Sequence, residues 1–266
     1  MRELTLPGRM ILLPGFGCDG RVFGPQRKAF GDRLETPAWI KPEPDESSRH
    51  YAKRWAQQLS RPDDDTPLAL GGLSLGGLVA QEMVRTIEPT PRCVLLIASA
   101  RKPERFSLAV QLSHLLGRFV PESSANKAAS FWALLFALRD GIDDDGKTLL
   151  RKMVKDIDPA VLIWAGRAAM DWPGAAAPIP GDAPVYQIHG RNDWVIKPGP
   201  EADVVLDQAR HLINVSNANT INRFLFDHFL DHVPKAQQPS PRVEDPHKTM
   251  QRRLVLEGAP AGTPLV

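Results

Sequence analysis

The sequence predicts an α/β fold: a mostly parallel sheet with helices on both faces and a helical insertion. Three observations carry this. Short apolar runs stopped by Pro or Gly recur along the chain, as strands buried on both faces should read. Helix-patterned stretches alternate with them, which supplies the crossovers of a parallel sheet. Between residues 101 and 180 the alternation gives way to helical patterns alone.

In chain order, "RMILLPG" is the first strand, halted by Pro14 and Gly15, and "RLETPAWI" is a weaker candidate. "SSRHYAKRWAQQLS" predicts a helix, with Tyr51, Trp55 and Leu59 on one stripe and serines available as N-caps. "TPLALGG" is a strand. "LGGLVAQEMVRTIEP" is a helix carrying Val79, Met83 and Ile87, ending before Pro89. "RCVLLIASA" has the strongest signature of a buried strand. After the insertion, with patterns such as "FSLAVQLSHLLGRFV" and "SFWALLFALRD", come strands "APVYQIHG" and "EADVVLD" and a closing helix, "NANTINRFLFDHFLDHV". The expected organisation is therefore a core of residues 1–100 and 181–233, a helical lid over 101–180 and a tail over 234–266. The tail's six prolines and weak periodicity predict mobility, although "QRRLVLEGA" has the pattern of a short docking strand.

Composition removes several function classes. At 42% hydrophobic and 24% charged residues, the chain reads as globular. Its net charge of +2 comes from the segment that begins at Pro234, so the body is electrically balanced and offers no basic surface for nucleic acid. Cys18 and Cys93 are too few for a disulfide framework and read as reduced thiols. No run approaches the roughly 20 apolar residues of a membrane span, and "MRELTLPGRM" lacks a secretion signal's apolar stretch. A cytoplasmic protein is expected.

The chemistry concentrates at "GLSLG", Gly72 to Gly76, which matches G-x-S-x-G where a strand ends and a helix begins. A serine projected from so sharp a turn needs small neighbours, and the following helix aims its positive end at the hydroxyl. On these residues the chain resembles the α/β-hydrolase superfamily over residues 9–100 and 184–233. The resemblance implies Ser74 as nucleophile. It also implies an oxyanion loop in "ILLPGFGCDG", with the backbone N–H groups of Phe16 and Leu75 as the two donors.

The same resemblance, with its chain order Ser…Asp/Glu…His, implies Asp193 in "HGRNDWVIKP" as the acid and His211 in "ARHLINV" as the base. His189 and Asp207 are neighbouring rivals, the first read as a support for its loop. Four features depart from the family pattern. Pro14 stands where relatives often have histidine, only Met1 to Arg9 precede the first strand, Arg210 replaces a small residue, and Asp193 and His211 are close in sequence. Of the insertion's aromatics, Trp132, Trp164 and Trp172 are expected substrate contacts, Phe131 and Phe136 also being candidates. Packing of lid helices onto the core is the competing role.

No dinucleotide motif, P-loop or metal-ligand cluster appears in the sequence, so no cofactor and no metal is expected. The expected partner is a small-molecule ester or thioester, with no nucleic acid and no membrane span; the oligomeric state is left open. The leading reading is a serine hydrolase working through an acyl-enzyme. An acyltransferase using the same three residues, and a non-catalytic binding or scaffolding protein, are the competing readings.

Overall fold

The computed structural model describes residues 5–102, 107, 111, 121–174 and 182–238. Its sheet has six strands: β1 (Arg9–Leu13), β2 (Leu34–Glu35), β3 (Leu68–Leu73), β4 (Cys93–Ile97), β5 (Val185–Gly190) and β6 (Val204–Leu206). They lie in the order β2-β1-β3-β4-β5-β6, and every adjacent pair is parallel. The helices of the core are α1 (Gly24–Phe30), α2 (Ser48–Leu59) and α3 (Leu75–Met83).

The apolar runs of the strands feed two cores by simple alternation. In β1, Met10 and Leu12 join Phe23, Phe30, Phe224 and Phe229 on one face. Ile11 and Leu13 join Tyr51, Trp55, Val79 and Met83 on the other. Each such side chain, fully buried, is worth about 1.5–3 kcal/mol, so both faces must be covered for the sheet to persist. The strand expected over "RLETPAWI" is only two residues long. Pro37 supplies no N–H for a ladder, and Trp39 instead turns inward, its ring tilted against Trp55 (5.0 Å, 35°) and its indole N–H donating to the Cys18 carbonyl (2.8 Å).

Between β4 and β5 run α4 (Ala125–Asp140), α5 (Asp144–Asp156) and α6 (Pro159–Asp171). Asp143 caps α5 through the Gly146 N–H, and Asp158 caps α6 through the Ala160 N–H. These helices share a small core of Ala129, Val154, Ile157, Val161 and Leu162. They reach the loop after β1: Val154 Cγ2 lies 3.2 Å from where a Cβ on Gly17 would stand, and Arg21 pairs with Asp156 at 2.8 Å.

Two of the insertion's tryptophans pack against the core. Trp164 is buried, stacks on Tyr51 (3.7 Å, 23°) and donates to the Glu46 carbonyl at 3.0 Å. Trp172 is 1% exposed and donates to Glu82 Oε1 at 3.2 Å. Both rings fasten the insert to the core through α2 and α3, where apolar surface and a hydrogen-bond acceptor are both available, which is the packing role that competed with substrate contact. Trp132 is 43% exposed beside Phe131.

After β6 come the short α7 (Ile213–Ser216) and α8 (Ala218–Asp231), whose Ile221, Phe224, Leu225 and Phe229 close the first core. Gln238 folds back, its side-chain amide reaching the Leu230 and Val233 carbonyls (3.2 and 2.8 Å). The remaining Pro-rich tail, and nearly all of the helical pattern at 106–120, lie outside the described residues. Cys18 and Cys93 are free and buried, and burial pushes each thiol up to about 12, aided at Cys18 by the charge of Asp19. No helix among the described residues is long and apolar enough to cross a membrane.

Candidate active site

The sheet's order reverses beside β1, and the loops after β1 and β3 leave the strands' C-terminal edge on either side of that point, the edge where such sheets bind ligands. Ser74 occupies the corner between β3 and α3 with φ 53° and ψ −119°. A non-glycine residue held there costs on the order of 1–3 kcal/mol, and surrounding bonds must hold it. They are present. Ser74 N–H donates to the Ile97 carbonyl (2.9 Å), and its own carbonyl accepts from Gly77 N–H (3.0 Å) and the Ser99 hydroxyl (2.7 Å). Gly76 is required by close approach: a Cβ there would stand 2.1 Å from the Leu13 carbonyl oxygen. That absence of a side chain lets α3 start directly against the end of β1.

The loop after β1 runs alongside the serine, with the Gly15 Cβ position 3.5 Å from Ser74 Cβ. It carries Phe16, whose ring is 43% exposed, and the left-handed Gly17. Leu75 is the first residue of α3, where an N–H has no helical acceptor. The loop that carries Phe16 and the first residue of α3, Leu75, thus both adjoin Ser74.

Asp193 and His211 approach from β5 and β6. Asp193 Oδ1 accepts from the N–H groups of Val195 (2.8 Å) and Ile196 (3.0 Å), which fixes the carboxylate's plane. Its Oδ2 accepts from His211 Nδ1 at 2.6 Å. Because a carboxylate only accepts, Nδ1 carries the proton and Nε2 is left with a lone pair. Their separation of 18 positions suffices because Gly190 ends β5: a Cβ there would lie 2.2 Å from the Arg210 carbonyl oxygen. Asn192 N–H then ties to the Ala209 carbonyl at 2.9 Å, laying the two loops side by side.

Burial alone would raise the Asp193 carboxyl, but the charge and hydrogen bond of His211 and the hydrogen bond of His189 hold it well below the usual carboxylate range. Burial works against a charged His211 too, and there Asp193, with a contribution from Asp140, outweighs it and raises the imidazole. Ser74, Asp193 and His211 therefore share one edge of the sheet. Adjacent strands lie about 4.8 Å apart, and β3 and β5 are separated only by β4. Among the described residues Asp193–His211 is hydrogen bonded, and Ser74 Oγ makes no hydrogen bond to His211.

The rivals fall into other roles. Asp207 pairs with Arg191 on the surface. His189 is fully buried and sets Nε2 between Asp193 Oδ2 (3.0 Å) and the Ile196 carbonyl (2.7 Å), so it braces the acid's loop. Sequence reasoning missed the residues behind it. Gln187 Nε2 bridges His189 Nδ1 (3.3 Å) and the Ser99 carbonyl (2.9 Å). A continuous buried chain therefore links the Ser74 backbone, through Ser99, Gln187 and His189, to Asp193 and His211. Polar residues inside the strand runs "YQIHG" and "IASA" were its only signal. Glu43, Glu46 and His50 gather ligand-type atoms within 4.8 Å of one another, but Arg54 already neutralises Glu46 at 2.7 Å.

No protein-family model and no curated protein sequence matches the chain. Solved structures do. An esterase from Thermogutta terrifontis is 18% identical, with 86% of this chain and 92% of that one covered and a TM-score of 0.65. An esterase from Exiguobacterium antarcticum is 13% identical, over 84% and 92%, with a TM-score of 0.63. The N-acyl homoserine lactonase AidH, complexed with N-butanoyl homoserine, is 18% identical over 85% and 90%, with a TM-score of 0.62. With the all-parallel sheet, the strained serine between β3 and α3 and the loops at one edge, these likenesses establish that the chain has the α/β-hydrolase fold.

Proposed function

We propose that the protein is a serine hydrolase of carboxylic esters or thioesters. The observation that carries this is the pairing of a serine held at φ 53° with a buried Asp193–His211 hydrogen bond of 2.6 Å on the same strand-end edge. His211 Nε2 takes the Ser74 hydroxyl proton as Oγ adds to the substrate carbonyl. The oxyanion is held by the Phe16 and Leu75 N–H groups, and loss of one such donor typically costs about 10²–10³ in rate. The imidazolium, steadied by Asp193, returns the proton to the leaving group. Water, deprotonated by the same imidazole, then releases the acid. That two neighbours in fold are esterases and a third a lactonase, a cyclic-ester hydrolase, supports this chemistry.

The test is covalent labelling with a fluorophosphonate, followed by hydrolysis of p-nitrophenyl esters of increasing chain length. The parent is expected to label on Ser74 and turn over esters, while Ser74→Ala and His211→Ala do neither. A folded parent that stays unlabelled and inactive on every ester removes the proposal.

A further inference from the structure

The C-terminal turns of α4 touch both loops of the acid–base pair. Phe136 presents its ring edge-on to His211 (5.6 Å, 86°) and also packs on Trp194, the residue after Asp193, at 5.7 Å. Arg139 lies over the Trp194 ring at 5.0 Å. Asp140 then receives two backbone donors from the histidine's own loop: His211 N–H at 3.2 Å on Oδ1 and Leu212 N–H at 2.8 Å on Oδ2. The exchange is reciprocal. Arg210, on that loop, donates its guanidinium to the Arg139 carbonyl at 2.7 Å, and Gly141 turns left-handed (φ 70°) just beneath it.

We propose that Asp140 is a positioning residue for the catalytic base, through which the helical insert fixes His211 and so governs whether the site is competent. This deepens the hydrolase reading and rests on it. Asp140 is the last residue of α4, where the helix dipole disfavours a carboxylate by about 0.3–1 kcal/mol, so helix stability does not account for the residue. The pair of otherwise open N–H groups at the start of α7 does, because a carboxylate satisfies them with charge-assisted bonds. On its β5 side the His211 loop is tied by Asn192 N–H to the Ala209 carbonyl (2.9 Å), but its residues Asp207, Gln208 and Arg210 are exposed and Gln208 stands at φ 60°. A ring carried on such a loop inherits every shift of its backbone, and an error of about 1 Å at a reacting group can cost about 10²-fold in rate. The charged and titratable groups facing His211 are Asp193, backed by His189, from the β5 side and Asp140 from α4; Arg139 and Arg210 face Trp194 and the end of α4.

The experiment compares the full-length parent with Asp140→Asn, Asp140→Ala and Arg210→Met. It measures the fluorophosphonate labelling rate, kcat and KM on one p-nitrophenyl ester, and the His211 imidazole titration by NMR. Asp140→Ala is expected to slow labelling by about 10²-fold with KM nearly unchanged. Asp140→Asn, which keeps one acceptor but no charge, is expected to slow it less and to lower the imidazole midpoint, a shift that a merely structural tie would not produce. Arg210→Met is expected to slow labelling without lowering that midpoint, and it serves if the Asp140 variants do not fold. Folded Asp140 variants that label at the parent's rate with an unmoved midpoint overturn the positioning role alone. An unlabelled parent overturns the hydrolase reading, and the positioning role with it.

Discussion

His211 stands between opposing influences, and their balance makes a directional prediction. Burial pushes the imidazole below its ordinary 6.5, while Asp193 and Asp140 favour the charged ring and prevail. Only the neutral ring accepts the Ser74 proton, so kcat/KM should fall as pH drops through a midpoint above 6.5. A pH–rate profile with its acid limb below that value would contradict the assignment. Asp193→Asn removes the partner that keeps the proton on Nδ1, and kcat should fall by about 10⁴-fold, read from steady-state turnover of the same ester. The placement of these three residues at strand ends was legible in the sequence because each is marked locally: a serine between glycines, an acid after "HG", a histidine before the last helix. Asp140 was not. Its partners are backbone N–H groups 71 and 72 residues away, and since nearly every residue has such a donor, the pairing leaves no trace in residue identity.

Between single groups and the whole chain, the decisive objects are the turns that lead out of the strands. Gly190→Ala would drive a methyl to within 2.2 Å of the Arg210 carbonyl, and backbone cannot yield cheaply there. We expect the variant to fold with a lower melting temperature and to lose ester turnover, because the displaced loop carries His211. Circular dichroism and the labelling assay separate the two effects. Gly76→Ala forces α3 off the end of β1 and should be worse, costing at least the roughly 1–3 kcal/mol of a badly overpacked core site in a urea titration. The positions of these glycines were visible in advance, the contacts that demand them were not. The shortness of β2 was hidden for a related reason: its apolar residues are real core residues, but Trp39 reaches the core from a loop.

Across the molecule, the insert and the core are held together by aromatic rings whose burial the sequence announced without naming the partner. Trp164→Ala removes the Tyr51 stack and should cost about 3–5 kcal/mol, whereas Trp132→Ala, half in solvent, should stay within about 0.5 kcal/mol. Chemical denaturation followed by circular dichroism would check both. Hydrophobicity alone favours neither pocket nor packing for a tryptophan; only the location of Tyr51 and Glu46 decides it. The two native thiols give the molecule a practical property. With both pushed up to about 12, almost no thiolate exists at neutral pH for an alkylating dye to find. A single cysteine placed on the outer surface of α4, as in Leu138→Cys, should therefore take up one maleimide by intact mass while the parent takes none, giving a fluorescent handle on the insert without stripping either natural sulfur.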